Sequence, residues 1–411
     1  MVSGEVALPG SKSITNRALV LGALARGKTT LDNYLRCEDT TVMIQSLLAL
    51  GFPVSCRDDK LVIEGQGGTI PAERAVLQTM NSGTTMRFLT AAAALGHGKY
   101  LLDGNPRMRE RPLSPLLEAL ARLGVSYRCL EREGYPPVEI SADGIKGGSC
   151  ALGGEISSQF LSALLLCAPL AKNGVTIELT SPLVSRPYVT MTLKMMEDFG
   201  VAVRDHDYQK FEVPGGQFYA GRDYFVEGDA SSASYFLAAA ALTGGSVRVK
   251  NLGTDSIQGD ADFVRVLEKM GARWSGGRDW LEISGSLKES VRVDLNDMPD
   301  MVPTLAVAAL FVPGEIVIRN VAHLRYKESD RLAALERELA RIGGIVRRLP
   351  DGLAVSAGKL RGAEIETYDD HRIAMAFTLA GLKIPGIVIK NPACVGKTLP
   401  EFFTLLDSLG G

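Results

Sequence analysis

Phe88-Leu89-Thr90-Ala91-Ala92-Ala93-Ala94-Leu95, then a glycine-marked turn, then Tyr100-Leu101-Leu102: the order inside this stretch decides the fold, because it returns along the chain. An Ala/Leu-rich helical run gives way at glycine to a short β-rich run. A second helical run follows and stops at Leu123-Gly124, a helix ending closed by glycine. Working outward, residues 19–25 lead to 29–31, 160–169 to 175–179, 236–242 to 247–249, 305–311 to 315–318 and 373–379 to 386–389. The matching helix endings are Leu50-Gly51, Phe199-Gly200, Met270-Gly271, Ile342-Gly343 and Leu409-Gly410, spaced 67 to 76 residues apart. Short β runs close the units, such as 54–56 with 61–63, 273–274 with 280–283 and 345–346 with 354–355. Each unit therefore reads helix–strand–helix–strand–strand. Six units of this length are too long for helical solenoid repeats and suit α/β subdomains that bury apolar helices against sheets.

Composition narrows the function. A chain of 411 residues with 46% hydrophobic residues supports two or more domains. A formal net charge of -2 and a pI near 6.2 argue against a general nucleic-acid binder, but not against a small anionic ligand. Six cysteines are scattered without CxxC pairs and only four histidines are present, so no zinc site and no disulfide framework is expected. A reducing cytosol is the simplest compartment. The first residues begin a strand, with no charged leader and apolar run. The longest apolar stretches, such as 91–95 and 305–312, are short for a membrane span.

Chemistry gathers where the first helix of each unit begins. Gly10-Ser11-Lys12-Ser13-Ile14-Thr15-Asn16-Arg17 sets two cations and three hydroxyls at a strand-to-helix change. Helix starts carry unpaired N–H groups and a positive dipole end, which suit anions. The spacing of Gly4, Gly10 and Lys12 does not fit a nucleotide phosphate loop, so no ATPase is expected. The equivalent starts are Asn81-Ser82-Gly83-Thr84, Gly154 to Gln159, Gly228-Asp229-Ala230-Ser231-Ser232, Met298-Pro299-Asp300-Met301 and Asp369-Asp370-His371-Arg372. Part of every cluster is expected to cap its helix. Gly228 to Ser232, with no nearby cation, is the best candidate for capping or a hinge alone. Further cations follow equivalent strands at 107–112, 181–188, 326–331 and 395–398. Arginine clamps planar carboxylates and phosphates, and lysine adds a mobile point charge. The expected ligand is small and strongly anionic.

These motifs, in this order and over essentially the whole chain, resemble the 5-enolpyruvylshikimate-3-phosphate synthases of the enolpyruvyl transferase family. The resemblance rests on Gly10-Ser11-Lys12-Ser13, Asn81-Ser82-Gly83-Thr84, Arg109-Glu110-Arg111-Pro112, Gly228 to Ser232, Lys327-Glu328-Ser329-Asp330-Arg331 and Asp370-His371-Arg372. It implies a two-domain inside-out α/β barrel of six βαβαββ-type subdomains, three per domain. The domains implied are 13–225, and 1–12 joined with 226–411, with chain crossings near Lys12-Ser13 and 226–229. The implied reaction moves the enolpyruvyl group of phosphoenolpyruvate to the 5-hydroxyl of shikimate 3-phosphate through a tetrahedral addition–elimination intermediate. The resemblance implies no cofactor and no metal, a cytoplasmic monomer, and neither nucleic-acid nor membrane partners.

Roles implied by the resemblance follow residue by residue. Lys12 touches both substrates and aids proton transfer at the 5-hydroxyl. Ser13, Arg17, Ser157, Ser158, Gln159, Ser185, Tyr188 and Lys327 hold shikimate 3-phosphate. Asp300 sits against its hydroxyls as a base, and Glu328 serves the enol carbon. Arg111, Arg331, Arg372 and Lys397 form the phosphoenolpyruvate clamp, with Gln159 and with Gly83, whose missing side chain leaves room for phosphate. Asp39, Asn81 and His371 support them. Asp300 and Glu328 also have plainer readings, as a cap after Pro299 and as a bridge among cations. His323 stands where many relatives carry Asn, and a ring nitrogen can make the same contact.

The nearest alternative is enolpyruvyl transfer to UDP-N-acetylglucosamine. That related family usually has Lys-Asn near its start and a reactive cysteine before its Arg-Pro motif. Here Lys12-Ser13 and a cysteine-free 107–112 stand instead, and Cys129 and Cys394 read as structural thiols. A non-catalytic anion-binding module is the third reading.

Overall fold

Six helices that are apolar around nearly their full circumference set the architecture. In the computed structural model, which describes residues 1–411, they are Lys12–Leu24, Gly83–Ala93, Ser158–Cys167, Ala230–Thr243, Val302–Ala308 and His371–Gly381. Almost every residue in them is buried. A helix with no polar face has nothing to show water and must sit inside its domain. Each repeat's other helix is Glu38–Ala49, Ser114–Arg122, Arg186–Asp198, Phe263–Lys269, Arg331–Arg341 or Phe402–Ser408. These bury a stripe and expose the rest.

Sheets cover the buried helices. Five four-stranded sheets share one topology: a lead strand runs parallel to the next, which is followed by two antiparallel neighbours. In the sheet Arg74–Gln78, His97–Asp103, Val138–Asp143 and Ser126–Cys129, Tyr100 lies opposite Ile140 and Leu102 opposite Val138. All four are fully buried. Alternation along the strands turns this one face to the helices. The sixth repeat keeps its parallel pair, Glu364–Ile365 with Val388–Ile389, and its second helix, but has no hairpin added to that pair. All six cysteines are free thiols. No helix is long and apolar enough to cross a membrane.

Two lead strands are exchanged. Ser3–Ala7 directly precedes the helix Lys12–Leu24, yet it pairs with Ser246–Lys250, Ser3 opposite Ser246 and Ala7 opposite Lys250. Asp223–Phe225 precedes the helix Ala230–Thr243, yet it pairs with Arg26–Asp32. The chain accordingly forms two compact units, Met1–Gly10 with Glu227–Gly411, and Ser11–Val226. Within the first unit, 8–10 runs beside 227–229. Asp229 N–H donates to the Pro9 carbonyl at 3.0 Å, and Gly10 bridges to Gly228. A Cβ on Gly228 would press on Leu8 and the Asn251 backbone at 2.9 to 3.2 Å, so glycine is required by space there.

Candidate active site

The polar clusters do begin with caps. Ser11, Ser82, Ser157, Asp229 and Asp370 each accept a backbone N–H in the first turn of a buried helix. Asp300 lies in the single 3-10 turn Pro299–Met301 that opens Val302–Ala308. Capping uses only part of each cluster. The remaining groups form a charge network in one unit and smaller polar sets in the other.

In the unit containing Glu227–Gly411, the guanidinium of Arg331 is almost wholly buried among three carboxylates. Its Nη1 donates to Asp300 at 2.8 Å, its Nη2 to Glu328 at 2.7 Å and its Nε to Asp370 at 2.8 Å. Arg372 donates to the other oxygen of Asp300 at 2.7 Å, and faces the Tyr235 hydroxyl at 3.4 Å. Asp370 also takes the Ser329 hydroxyl at 2.9 Å and the Arg372 N–H at 3.0 Å. Burial pushes the Asp300 carboxyl toward its neutral form. Arg372, Lys327 and Arg331 together outweigh it and hold the carboxyl well below the usual range. Burial likewise opposes the charge of Arg331, but Asp370, Glu328 and Asp300 raise its pKa above the ordinary value. Asp300 is thus an ionised carboxylate gripped by two cations rather than a simple helix cap. Burial, reinforced by Lys327, pulls the His323 imidazole down to about 3, so at neutral pH it is uncharged. Lys397 and His371 are buried. Lys397 ends the turn Pro392–Lys397, which packs on His371–Gly381, and His371 Nδ1 lies 3.7 Å from Asp370.

The other unit gathers its groups in smaller sets. Lys12 Nζ pairs with the buried Asp39 at 3.2 Å. Arg17 turns inward. It donates to the carbonyls of Ser13 and Tyr188, each at 3.0 Å, and to Thr192 at 2.8 Å, and lies 3.4 Å from the Ser162 hydroxyl. Its guanidinium lies over the Phe88 ring. Burial lowers its pKa to about 10, which leaves it charged at neutral pH. Ser13 and Tyr188 are therefore fixed to each other through one cation. Ser185 starts the helix Arg186–Asp198 in a left-handed conformation (φ 56°), a strained setting for serine. Gln159 Nε2 donates to Thr84 at 3.2 Å, which brings the start of Ser158–Cys167 to the start of Gly83–Ala93. Ser157 caps Ser158–Cys167, and Ser158 is buried in its first turn. Arg111 donates to the Asn81 carbonyl at 3.2 Å and approaches its side-chain oxygen at 3.3 Å. Two guanidinium groups occupy the space beside Gly83. A Cβ there would overlap nitrogens of both Arg87 and Arg111.

Sequence reading missed four members of these networks. Arg87 lies one helical turn after Gly83 and donates to its carbonyl at 3.0 Å; that i, i+4 spacing was the available signal. Asp370 stood inside a quoted motif but was given no role. Tyr235 and Asp260 gave none, because only folding brings them to Arg372 and Ser231. The segment Gly228 to Ser232 is also more than a cap, since Ser231 donates its hydroxyl to Asp260 at 2.5 Å. Cys129 accepts the Gly134 N–H, and burial raises Cys394 to about 11. No group of three or more His, Cys, Asp or Glu side chains is arranged to hold a metal ion.

Repeated βαβαββ subdomains with cations gathered at their helix starts define an α/β protein suited to small, multiply charged anions. The model of the EPSP synthase (3-phosphoshikimate 1-carboxyvinyltransferase) family matches residues 1–406. A 3-phosphoshikimate 1-carboxyvinyltransferase of Vibrio atlanticus (strain LGP32) is 48% identical over 414 aligned positions, covering 99% of this chain and 97% of the relative. A 3-phosphoshikimate 1-carboxyvinyltransferase of Sulfurovum sp. (strain NBC37-1) is 46% identical over 99% of this chain and 97% of the relative. The solved EPSP synthase of Acinetobacter baumannii superposes with a TM-score of 0.81 at 27% identity, covering 99% of this chain and 96% of that one. The chain belongs to the EPSP synthase family of enolpyruvyl transferases.

Proposed function

We infer that this protein transfers the enolpyruvyl group of phosphoenolpyruvate to the 5-hydroxyl of shikimate 3-phosphate and releases phosphate, a step of aromatic amino-acid biosynthesis. The observation that carries the reading is the grip of Arg331 and Arg372 on Asp300, with Glu328 on the same guanidinium. Two anionic substrates repel one another, and only fixed cations and helix ends offset that repulsion.

Our assignment gives Lys12, Ser13, Arg17, Ser157, Ser158, Gln159, Ser185, Tyr188, Asp300, His323 and Lys327 to shikimate 3-phosphate. Lys12, Gly83, Arg111, Gln159, Arg331, Arg372 and Lys397 serve phosphoenolpyruvate, and Asp39, Asn81 and His371 orient them. The 5-hydroxyl oxygen attacks C2 of the enol and passes its proton to the Asp300 carboxylate, with the Lys12 ammonium steadying the oxygen, while C3 gains a proton from Glu328, which has taken one from solvent on release from Arg331. The tetrahedral adduct then expels phosphate from C2. C3 returns its proton to Glu328, and the enol ether re-forms. An ionised Asp300 suits the first transfer. An incoming substrate carboxylate competes with Glu328 for Arg331, which frees Glu328 to exchange the C3 proton. We further propose a cytoplasmic monomer, supported by family membership and six free thiols.

The test incubates the protein with both substrates and follows released phosphate together with the enolpyruvyl ether. Stoichiometric appearance of both supports the reading. Substrate binding with neither product rejects it, and product from UDP-N-acetylglucosamine in place of shikimate 3-phosphate replaces it.

A further inference from the structure

Arg17 is a buried cation held by neutral groups. Only 2% of its surface is exposed. Its Nε donates to the Thr192 hydroxyl at 2.8 Å and its Nη1 to the Ser13 carbonyl at 3.0 Å. Its Nη2 donates to the Tyr188 carbonyl at 3.0 Å and to the Ser162 hydroxyl at 3.4 Å. Two hydroxyls and two carbonyls thus take its hydrogen bonds. Lys12, by contrast, meets Asp39, and Arg331 and Arg372 meet Asp300. Burying a charge is costly unless an opposite charge answers it. Neutral oxygens fix the Arg17 guanidinium in place and lessen that cost, but they do not cancel the charge, which stays available to an anion.

Two of the four acceptors have no place in the reaction scheme. Thr192 lies on Arg186–Asp198 and Ser162 on Ser158–Cys167, and both are fully buried. Thr192 Oγ1 also lies 2.8 Å from the Tyr188 carbonyl and 2.9 Å from Ser162 Oγ. The two hydroxyls therefore touch each other and join three helices at one guanidinium. We propose that Thr192 and Ser162 are positioning residues for shikimate 3-phosphate: they fix Arg17 through Nε and Nη2, so that its uncancelled charge meets an anionic group of that substrate. A carboxylate in their place would hold the guanidinium as firmly but would neutralise it. Neither hydroxyl touches substrate in this scheme. Both act through Arg17.

The proposal rests on the inferred assignment of Arg17 to shikimate 3-phosphate. The experiment measures KM for each substrate, kcat and the melting temperature in the wild type, Thr192→Val, Thr192→Ser and Ser162→Ala. Valine keeps the branched shape without the acceptor, and serine restores the acceptor. In Thr192→Val the KM for shikimate 3-phosphate should rise about tenfold, with the KM for phosphoenolpyruvate within about twofold of wild type and kcat changing less. Thr192→Ser should recover most of that loss, to within about threefold of wild type. Ser162→Ala removes the longer bond and should raise the same KM about threefold, again without the other. An unchanged KM for shikimate 3-phosphate in Thr192→Val overturns the proposal. So does an equal rise for both substrates, which marks general damage to the fold, or a Thr192→Ser protein as impaired as the valine variant. Where Thr192→Val fails to fold, Ser162→Ala decides: a rise confined to shikimate 3-phosphate supports the proposal, and no rise overturns it. A wild type that forms no enolpyruvyl product rejects the function itself, a separate outcome.

Discussion

Arg331 shows what a single side chain carries. Three carboxylates converge on one planar guanidinium, and each uses a different nitrogen. Arg331→Ala leaves buried charge without its partner, and the expected cost is about 3–5 kcal/mol of stability, read as a lowered unfolding midpoint. Arg331→Lys keeps the charge but not the three-way fork. It should fold better than the alanine variant while losing turnover by on the order of a hundredfold, measured by phosphate release. His323 makes a pH prediction. Burial and Lys327 lower its folded pKa from 6.5 to about 3. As pH falls below about 6.5, the unfolded chain takes a proton that the folded chain refuses, so stability drops until about pH 3. His323→Asn removes that loss. Denaturant unfolding should separate the two proteins increasingly as pH falls from about 6 to about 4, with the variant the more stable, and bring them closer at about pH 8. The residue types at both positions were legible in the sequence. Their charge states were not, because these depend on burial and on distant partners, as where Asp300 meets Arg331, 31 positions away, and Arg372, 72 positions away.

At the scale of elements, the start of Gly83–Ala93 is the sharpest case. Glycine there is needed for space, since two guanidinium groups occupy the place of its side chain. The far ends of Arg87 and Arg111 can move, so Gly83→Ala should fold with a melting temperature close to the wild type. The displaced cations should raise KM for phosphoenolpyruvate by about ten- to hundredfold, with a smaller change for shikimate 3-phosphate, in steady-state kinetics with each substrate varied. Equal effects on both substrates would contradict the assignment of Arg111. The helix itself was plain in the sequence from its Ala/Leu run, as were the glycine endings of the amphipathic helices. The hydroxyl and carboxylate residues before the buried helices were legible as caps, because capping is local chemistry. That Ser231 also serves Asp260, and that Gln159 reaches Thr84, required elements distant in sequence to meet.

For the whole molecule, the exchanged lead strands make a specific prediction. Ser3–Ala7 completes the sheet of Ser246–Lys250, with Val2 and Val6 buried in the core of that unit. Removal of residues 1–7 should expose the amides of Ser246–Lys250 to hydrogen exchange and lower the stability of the unit containing Glu227–Gly411. The helix Lys12–Leu24, adjacent in sequence, should keep its protection, because it belongs to the other unit. Loss of protection in Lys12–Leu24 with none in Ser246–Lys250 would mean that chain neighbours rather than sheet partners share stability.

The stretch 88–102 and its five echoes determined the α/β class, the repeat and the order of elements, because periodicity and glycine punctuation act over a few residues. Motif order carried the family. Pairing was beyond that reach. The pattern marks residues 4–8 as a strand but is silent on its partner, since strand pairing is a contact between segments with no local signature. The same limit applied to chemistry. Lysines, arginines and acids at helix starts announced an anionic ligand. Only the tertiary structure set Asp300 between two cations and Asp260 against a hydroxyl, and burial with those neighbours is what gives two identical side chains opposite charge preferences.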